Sequence, residues 1–176
     1  MKLNKIRSLC KERGRCYLFD EIRAESGELV RQWLSDGTGL WPVSGLPVLQ
    51  ERNLGTLLGL NEKQAEKWTI QERELPEDLY AATGDLMAGE SQVKESFLSL
   101  SISGRELLPV PCAGGGVLWV DRARLEPCWS RQTILAARET DTRQILAVFD
   151  GLLLAGILLP EPIPEDVRRE LRRVSL

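Results

Sequence analysis

The same order of structural signals occurs twice in this chain, once near each end. Residues 16–47 and residues 133–160 each contain a hairpin of apolar strands, an Asp-Gly pair, a further strand and a closing proline. The two Asp-Gly pairs, at residues 36–37 and 150–151, occupy matching places. Asp-Gly between apolar segments is a strong signal for a tight turn between antiparallel strands. The pattern therefore predicts two three-stranded antiparallel meanders.

Each predicted meander needs a partner to cover its apolar face, because two or three isolated strands bury too little surface to be stable. One hypothesis is a duplication, in which residues 1–90 and residues 91–176 are halves related by a pseudo-twofold axis. The alternative is that two common meanders follow one another without shared descent, since residue identity between the halves is slight. In either case the length, residues 1–176, is typical of a single domain with its own core.

Short helices are predicted on either side of the strands. At the start of the chain Leu3, Ile6 and Leu9 share one helical face, and Gly14 is placed where a helix ends. Residues 50–68 are predicted to form two short helices broken near Gly59, with Asn61 as the N-cap of the second, and residues 76–80 to form a helix or a turn. A helical turn is predicted at residues 121–126 and a helix at residues 165–174. Further strands are predicted at residues 97–103, 107–110 and 117–120. The predicted fold class is α+β, with antiparallel meanders and short flanking helices.

The sequence contains no histidine. Histidine is the side chain whose unperturbed pKa lies nearest neutrality, and it is the commonest metal ligand in proteins. A Ser-His-Asp triad, a Cys-His pair and a metal centre with histidine ligands are therefore excluded by composition. The sequence favours a protein that binds over one that catalyses, and it predicts neither enzyme activity nor a cofactor.

The remaining groups that could catalyse a reaction are thiols and carboxylates. Cys10, Cys16, Cys112 and Cys128 lack the short Cys-x2-Cys spacing of structural zinc sites, so we expect reduced thiols in or near the core. A thiol nucleophile also needs a neighbouring base or cation, and no imidazole is present. Most carboxylates fall at predicted turns, where aspartate is favoured for backbone reasons. A metal-dependent hydrolase that uses carboxylates alone is kept as an alternative hypothesis.

The net charge of the chain is small and negative. Lysine and arginine together number 23 and aspartate and glutamate 26, which gives a formal charge of -3 at pH 7. Binding to nucleic-acid polymers depends on clustered cations that displace counterions, so this balance argues against it. The first residues lack an apolar stretch of signal-peptide length, and the longest apolar run, residues 145–159, is too short to cross a bilayer. We expect a cytoplasmic protein with no membrane partner.

Tryptophan and arginine supply the predicted ligand site. The chain has five tryptophans beside three phenylalanines and two tyrosines, and Trp41 and Trp129 lie next to prolines or turns, where rings often line clefts. Arg31 precedes Trp33 by two residues, and Arg131 follows Trp129 by two. An indole can stack on a nucleobase while arginine binds phosphate through two parallel hydrogen bonds. The predicted stacking rings and anion-binding arginines are Trp33, Trp41, Trp129, Arg31, Arg131 and Arg143.

The general layout of the chain also suggests a class of proteins. A short, acidic, histidine-free chain built of meanders, with no catalytic motif, resembles small proteins encoded by phages and prophages. Some of these proteins are non-enzymatic sponges that sequester nucleotide immune signals of the host. The resemblance implies such a sponge in the host cytoplasm, and it rests on layout, so no family residue is carried over.

The leading hypothesis is a non-catalytic protein that captures a small nucleotide-like ligand. The ligand would lie in a cleft between the two halves of the chain or between the subunits of a homo-oligomer. The second hypothesis is a protein-protein interaction module that inhibits a host enzyme through an exposed strand edge or its tryptophan-bearing loops.

Overall fold

An eight-stranded mixed sheet and a three-stranded antiparallel sheet form the framework of the protein. The structure is a computed structural model that describes residues 2–88, 90, 92–93, 98–112 and 116–173. The strands are β1 (Arg15–Ile22), β2 (Leu29–Ser35), β3 (Gly39–Pro42), β4 (Thr69–Glu74), β5 (Gln92–Val93), β6 (Leu100–Ile102), β7 (Arg105–Pro111), β8 (Val117–Asp121), β9 (Thr133–Glu139), β10 (Gln144–Asp150) and β11 (Leu153–Leu158). The helices are α1 (Leu3–Arg13), α2 (Glu51–Leu57), α3 (Glu62–Ala65), α4 (Glu77–Tyr80) and α5 (Glu165–Arg173), and a 3-10 helix covers Arg122–Leu125. The predicted α+β class is confirmed. None of the described helices is both long enough and apolar enough to span a membrane.

The two predicted meanders lie side by side in the large sheet. Its strand order is β4-β1-β2-β3-β11-β10-β9-β5 within the described residues. Strands β1 to β3 and strands β9 to β11 each form an antiparallel meander. The last strands of the two meanders, β3 and β11, pair antiparallel with each other, and Leu40 lies opposite Ile157. The strand order of one meander is therefore the reverse of the other, as a pseudo-twofold axis requires. Common descent of the two halves stays a prediction.

Each face of the large sheet carries its own core, because side chains alternate along the strands. On β1 the side chains of Cys16 and Leu18 enter the first core, which includes residues of α1, α2 and the small sheet. The neighbouring Phe19 packs against the second core, to which the segment around α4 contributes Leu79. Strand β10 is fully buried from residue 145 to residue 149, because its side chains enter both cores.

The two outer strands of the large sheet are missing from the sequence-based prediction. Strand β4 pairs parallel with β1, from Thr69 opposite Arg15 to Glu74 opposite Asp20, and the two-residue β5 pairs with β9. The predicted strand at residues 97–103 is shorter than expected, since β6 begins at Leu100. Phe97, at the start of that prediction, and Val174, at the end of the predicted last helix, lie outside the described residues.

One buried arginine joins four distant segments of the chain. Arg124, in the 3-10 helix, is 1% exposed, and its Nη2 and Nε lie 3.0 and 3.1 Å from Oδ2 of Asp36, which is 0% exposed. Its Nη1 contacts Oδ2 of Asp121 and lies 3.4 Å from Oε1 of Glu161. Glu161 also accepts a hydrogen bond at 3.0 Å from Nη2 of Arg13. These five residues, here called the Arg124 cluster, connect α1, the β2–β3 turn, the end of β8 and the segment after β11.

The carboxylate of Asp36 is satisfied on both of its oxygens. While Oδ2 faces Arg124, Oδ1 accepts hydrogen bonds from the backbone amides of Thr38 at 2.9 Å and Gly39 at 2.8 Å. The aspartate thus forms the turn, as its position in the sequence predicts, and it also pairs with a buried cation. A buried ion pair contributes little net stability when complete, but losing one partner leaves an uncompensated charge in the interior.

Replacing Arg124 with methionine tests how far the fold depends on this cluster. We expect Arg124→Met to lower the free energy of unfolding by about 3–5 kcal/mol, or to prevent folding, because Asp36 and Asp121 lose their buried cation. Urea unfolding followed by circular dichroism measures the change. The control is Arg122→Met, since Arg122 is 53% exposed and pairs with Glu106 at the surface, where a loss below about 1 kcal/mol is expected. Equal losses in both variants would contradict the assignment.

Candidate functional site

Two of the three predicted stacking tryptophans lie in the core. Trp33 and Trp41 are both 0% exposed. The indole Nε1 of Trp33 donates to Oε2 of Glu21 at 2.9 Å, and Nε1 of Trp41 donates to the backbone oxygen of Arg124 at 3.3 Å. Neither ring offers a face to a ligand, so the stacking role predicted for these two residues is corrected to a packing role. The reason is that β2 and β3 lie inside the large sheet, where both faces are covered.

Arg31 belongs to the surroundings of Trp33. Its guanidinium carbon lies 5.2 Å from the ring centroid of Trp33, and its Nε lies 3.7 Å from Oε2 of Glu21. Arg31 therefore packs over the buried ring of Trp33 and offsets the charge of Glu21, which accepts the hydrogen bond from that ring. The structure does not place it beside Arg131 or Arg143, and Arg143 lines a separate cleft with Arg15 and Arg73.

Trp129 and Arg131 are the two predicted site residues that the structure brings together. Both line a hollow of about 220 Å³ beside β5 and the start of β9. The Trp129 side chain is half-buried, whereas Arg131 is exposed. Neither of the other predicted tryptophans joins this pair, and the stacking role of Trp129 and the anion-binding role of Arg131 stay predictions.

Trp129 also lines a larger hollow of about 520 Å³, here called the Trp129 hollow. The side chains around it come from the residue before α1, from α1 itself, from the 3-10 helix and from the turn that follows that helix. They are Lys2, Lys5, Arg122, Leu125, Glu126 and Trp129. Lys2 and Lys5 belong to residues 1–90 and the others to residues 91–176, so this hollow lies between the two halves of the chain, where the leading hypothesis places a ligand.

Backbone contacts fix the rim of the Trp129 hollow. The amide of Lys2 donates to the backbone oxygen of Pro127 at 2.9 Å, and Nζ of Lys2 donates to the backbone oxygen of Trp129 at 2.8 Å. The amide of Cys128 donates to the backbone oxygen of Leu125 at 3.1 Å. The start of α1 is thereby joined to the turn that carries the indole.

The Trp129 hollow is positively charged although the whole chain is acidic. Among the described residues that line it, three are cations and one is a carboxylate, Glu126, which pairs with Lys5 at 2.7 Å. Arg122 pairs with Glu106 at 3.0 Å, and Glu106 does not line the hollow. Arg122 and Lys5 are about half exposed, so both side chains can turn toward an anion. The arrangement can hold an anionic group next to a flat ring.

Sequence reasoning did not identify Lys2 and Lys5 as site residues. Lys2 directly precedes α1 and Lys5 lies in its first turn, and their closeness in the sequence is the one local signal they give. Their proximity to Trp129 depends on contacts between residues more than a hundred positions apart, such as the one from Lys2 to Trp129. No pattern in the neighbourhood of Trp129 reveals that contact.

The cysteines are poorly suited to act as nucleophiles. Burial raises the pKa of the Cys128 thiol, which lies next to Trp129 in the chain, to about 12. A hydrogen bond with Cys16, together with burial, raises the pKa of Cys10, and burial raises that of the half-buried Cys112. Among the described residues, no group of three or more cysteines and carboxylates is arranged to hold a metal ion.

A third hollow, of about 720 Å³, lies between β8 and α5. Its lining is mainly apolar and includes Val117, Trp119, Ile163 and Leu171, and Arg168 is the one basic residue among the described side chains that line it. These described side chains do not bring several cations together, as an anionic ligand needs. The Trp129 hollow is therefore the better candidate for a nucleotide-like ligand.

Quenching of tryptophan fluorescence tests the accessibility and charge of the Trp129 hollow. Iodide is an anion, so we expect it to accumulate beside Lys2, Lys5 and Arg122 and to quench Trp129 more strongly than neutral acrylamide does. Trp129→Phe should remove more of the iodide quenching than of the acrylamide quenching. Trp119→Phe is the control, since Trp119 is also half-buried but lies in the apolar hollow. An unchanged iodide response in Trp129→Phe would contradict the assignment.

Thiol labelling tests the burial of the cysteines. With Ellman's reagent at pH 8, we expect only the half-buried Cys112 to react in the native protein, and to react slowly because its pKa is raised. All four thiols should react in guanidinium chloride. Rapid native labelling of Cys112→Ser would show that a second thiol is exposed.

Comparison of the chain with protein-family models, with curated proteins and with solved structures found no match.

Proposed function

We propose that this protein is a non-enzymatic binding protein that sequesters a small nucleotide-derived ligand in the Trp129 hollow. The observation that carries the proposal is the combination of a half-buried indole with three cations and one carboxylate in a hollow of about 520 Å³. This volume falls within the range of about 300–1,000 Å³ that is usual for small-molecule sites. Sequestration of this kind is the role of the phage sponges that the layout of the chain resembles.

The chemistry of the lining residues supports a ligand with both a ring and negative charge. Stacking of a base on an aromatic side chain contributes about 1–3 kcal/mol. Lys2 and Lys5 supply compact charges, and Arg122 supplies a planar fork that can bind phosphate oxygens in pairs. A ligand with a phosphate and no ring would leave the indole unused, and a neutral ring would leave the cations unused.

The side chains at this hollow support holding a ligand more than transforming it. Glu126, the one carboxylate of the lining, already pairs with Lys5 at 2.7 Å. The nearby thiol of Cys128 is buried and donates to the backbone oxygen of Leu125 at 3.3 Å, with a pKa of about 12. The sequence contains no histidine, which is the side chain most often used as a general base.

Calorimetric titration with cyclic dinucleotides and ADP-ribose derivatives tests the proposed function. We expect at least one of these ligands to bind, and Trp129→Leu to weaken its binding about 10-fold because the stacking energy is lost. Trp119→Leu is the matched control, since it removes a half-buried indole from a different hollow. Ligand recovered after long incubation should be chemically unchanged.

Three outcomes would overturn this proposal. The first is the absence of binding heat with every ligand in the panel. The second is equal affinity of wild type and Trp129→Leu. The third is conversion of the ligand during incubation, and loss of that conversion with a chelator would favour the metal-dependent hydrolase. A stoichiometric host protein recovered in a pull-down, without ligand binding, would instead favour the protein-protein interaction module.

A further inference from the structure

Three arginines from separate parts of the chain converge on one face of the large sheet. Arg15 begins β1, Arg73 belongs to β4, and Arg143 lies in the turn between β9 and β10. Together with the rings of Tyr17 and Phe19 they line a hollow of about 260 Å³, here called the arginine cleft. The arginine cleft and the Trp129 hollow share no lining residue.

The pleat of the sheet explains why these side chains meet. Arg15, Tyr17 and Phe19 are alternate residues of β1 and so project from the same face, opposite Cys16 and Leu18. The parallel register places Arg73 of β4 directly beside Phe19. On this face the second core ends at Leu79 of α4, which lines the cleft, and the rings of Tyr17 and Phe19 remain half-buried.

Each guanidinium is already held in place by a contact of its own. Nε of Arg15 donates to the backbone oxygen of Asp36 at 2.8 Å. The guanidinium carbon of Arg73 lies 5.2 Å from the ring centroid of Tyr17. Nη2 of Arg143 lies 2.7 Å from Oδ2 of Asp78. The hydrogen bond from Arg15 to Asp36 restricts that side chain before a ligand arrives, so less of its entropy is lost on binding.

The charges of the arginine cleft are not balanced by the protein. Within the described part of the chain, no carboxylate oxygen lies within the 4.0 Å ion-pair distance of Arg15 or Arg73. The acids that flank Arg73 in sequence, Glu72 and Glu74, alternate to the opposite face of β4. Asp78 pairs with Arg143, so three cations face one carboxylate.

Gly37 makes room for one of these arginines. A Cβ atom at this position would lie 2.9 Å from the guanidinium carbon of Arg15, closer than carbon atoms can approach. The backbone φ of +94° at Gly37 also favours glycine. The turn between β2 and β3 thus both accepts a hydrogen bond from Arg15 and leaves open space for its planar group.

We propose that the arginine cleft is a second ligand site, which binds a diphosphate group. Arginine forks match phosphate oxygens in pairs, and the charges of three guanidinium groups suit an anion with more than one negative charge. The volume of about 260 Å³ is small for a whole nucleotide and accommodates a diphosphate with part of its attached group against Tyr17 and Phe19. The same chemistry is offered by inorganic diphosphate and by the diphosphate of a nucleoside diphosphate.

Calorimetric titration at constant ionic strength with inorganic diphosphate, ADP and adenosine tests the second site. Inorganic diphosphate should bind, and Arg73→Gln and Arg15→Gln should each weaken it about 10-fold or more, since each removes charge-assisted hydrogen bonds. Arg73→Gln removes an exposed guanidinium that pairs with no described carboxylate, so this variant should keep the wild-type melting temperature. Arg15→Gln also removes the hydrogen bond to the backbone oxygen of Asp36, so a modestly lower melting temperature is expected for it. Arg52→Gln, at an exposed arginine of α2, is the matched control and should bind as wild type does.

The two proposed sites are separated by a further variant. Trp129→Leu should leave the affinity for inorganic diphosphate unchanged, because Trp129 does not line the arginine cleft. If ADP binds much more tightly than inorganic diphosphate, and Tyr17→Ala removes this difference in affinity, the ligand of the arginine cleft is a nucleoside diphosphate. If ADP and inorganic diphosphate bind with equal affinity, the ligand is the inorganic anion. The absence of diphosphate binding, or unchanged binding in both Arg73→Gln and Arg15→Gln, would overturn the second site and leave the Trp129 hollow untouched.

Discussion

The interaction on which the rest of the structure depends is the buried Arg124 cluster. Its members come from α1, from the β2–β3 turn, from β8 with the 3-10 helix, and from the segment after β11. Both proposed sites are attached to it. The carbonyl of Asp36 orients Arg15 in the arginine cleft, and the 3-10 helix that carries Arg124 also carries Arg122 of the Trp129 hollow. The Arg124 cluster thereby connects the segments that carry both proposed sites.

Local patterns in the sequence predicted the local parts of this fold. Both meanders and their Asp-Gly turns could be predicted from the sequence because each strand pairs with the next one along the chain. Strand β4 could not be predicted from the sequence, since its residues are mostly polar and its parallel partner β1 lies some fifty residues earlier. For the same reason the sequence did not reveal that β3 pairs with β11, and this pairing is what buries Trp41.

The candidate sites follow the same division between near and distant contacts. The pairing of Trp129 with Arg131 could be predicted because the two residues are neighbours in the chain. The cations of the Trp129 hollow could not, because Lys2 and Lys5 arrive from the other end of the molecule. Arg143 was predicted to bind an anion. That Arg15 and Arg73 line the same cleft follows from the register of β1 and β4, which the sequence did not predict. The alternation of Arg15, Tyr17 and Phe19 was the available signal.

The junction between β3 and β11 has a consequence for how the protein folds. Its paired residues, such as Leu40 and Ile157, are more than a hundred positions apart, and the ring of Trp41 lies against both Gly39 and Gly156. Each meander consists of short-range pairs and can form early, whereas the junction joins residues far apart in the chain and is expected to form later. Burial of Trp41 against these two glycines therefore accompanies the step in which the two halves become one sheet.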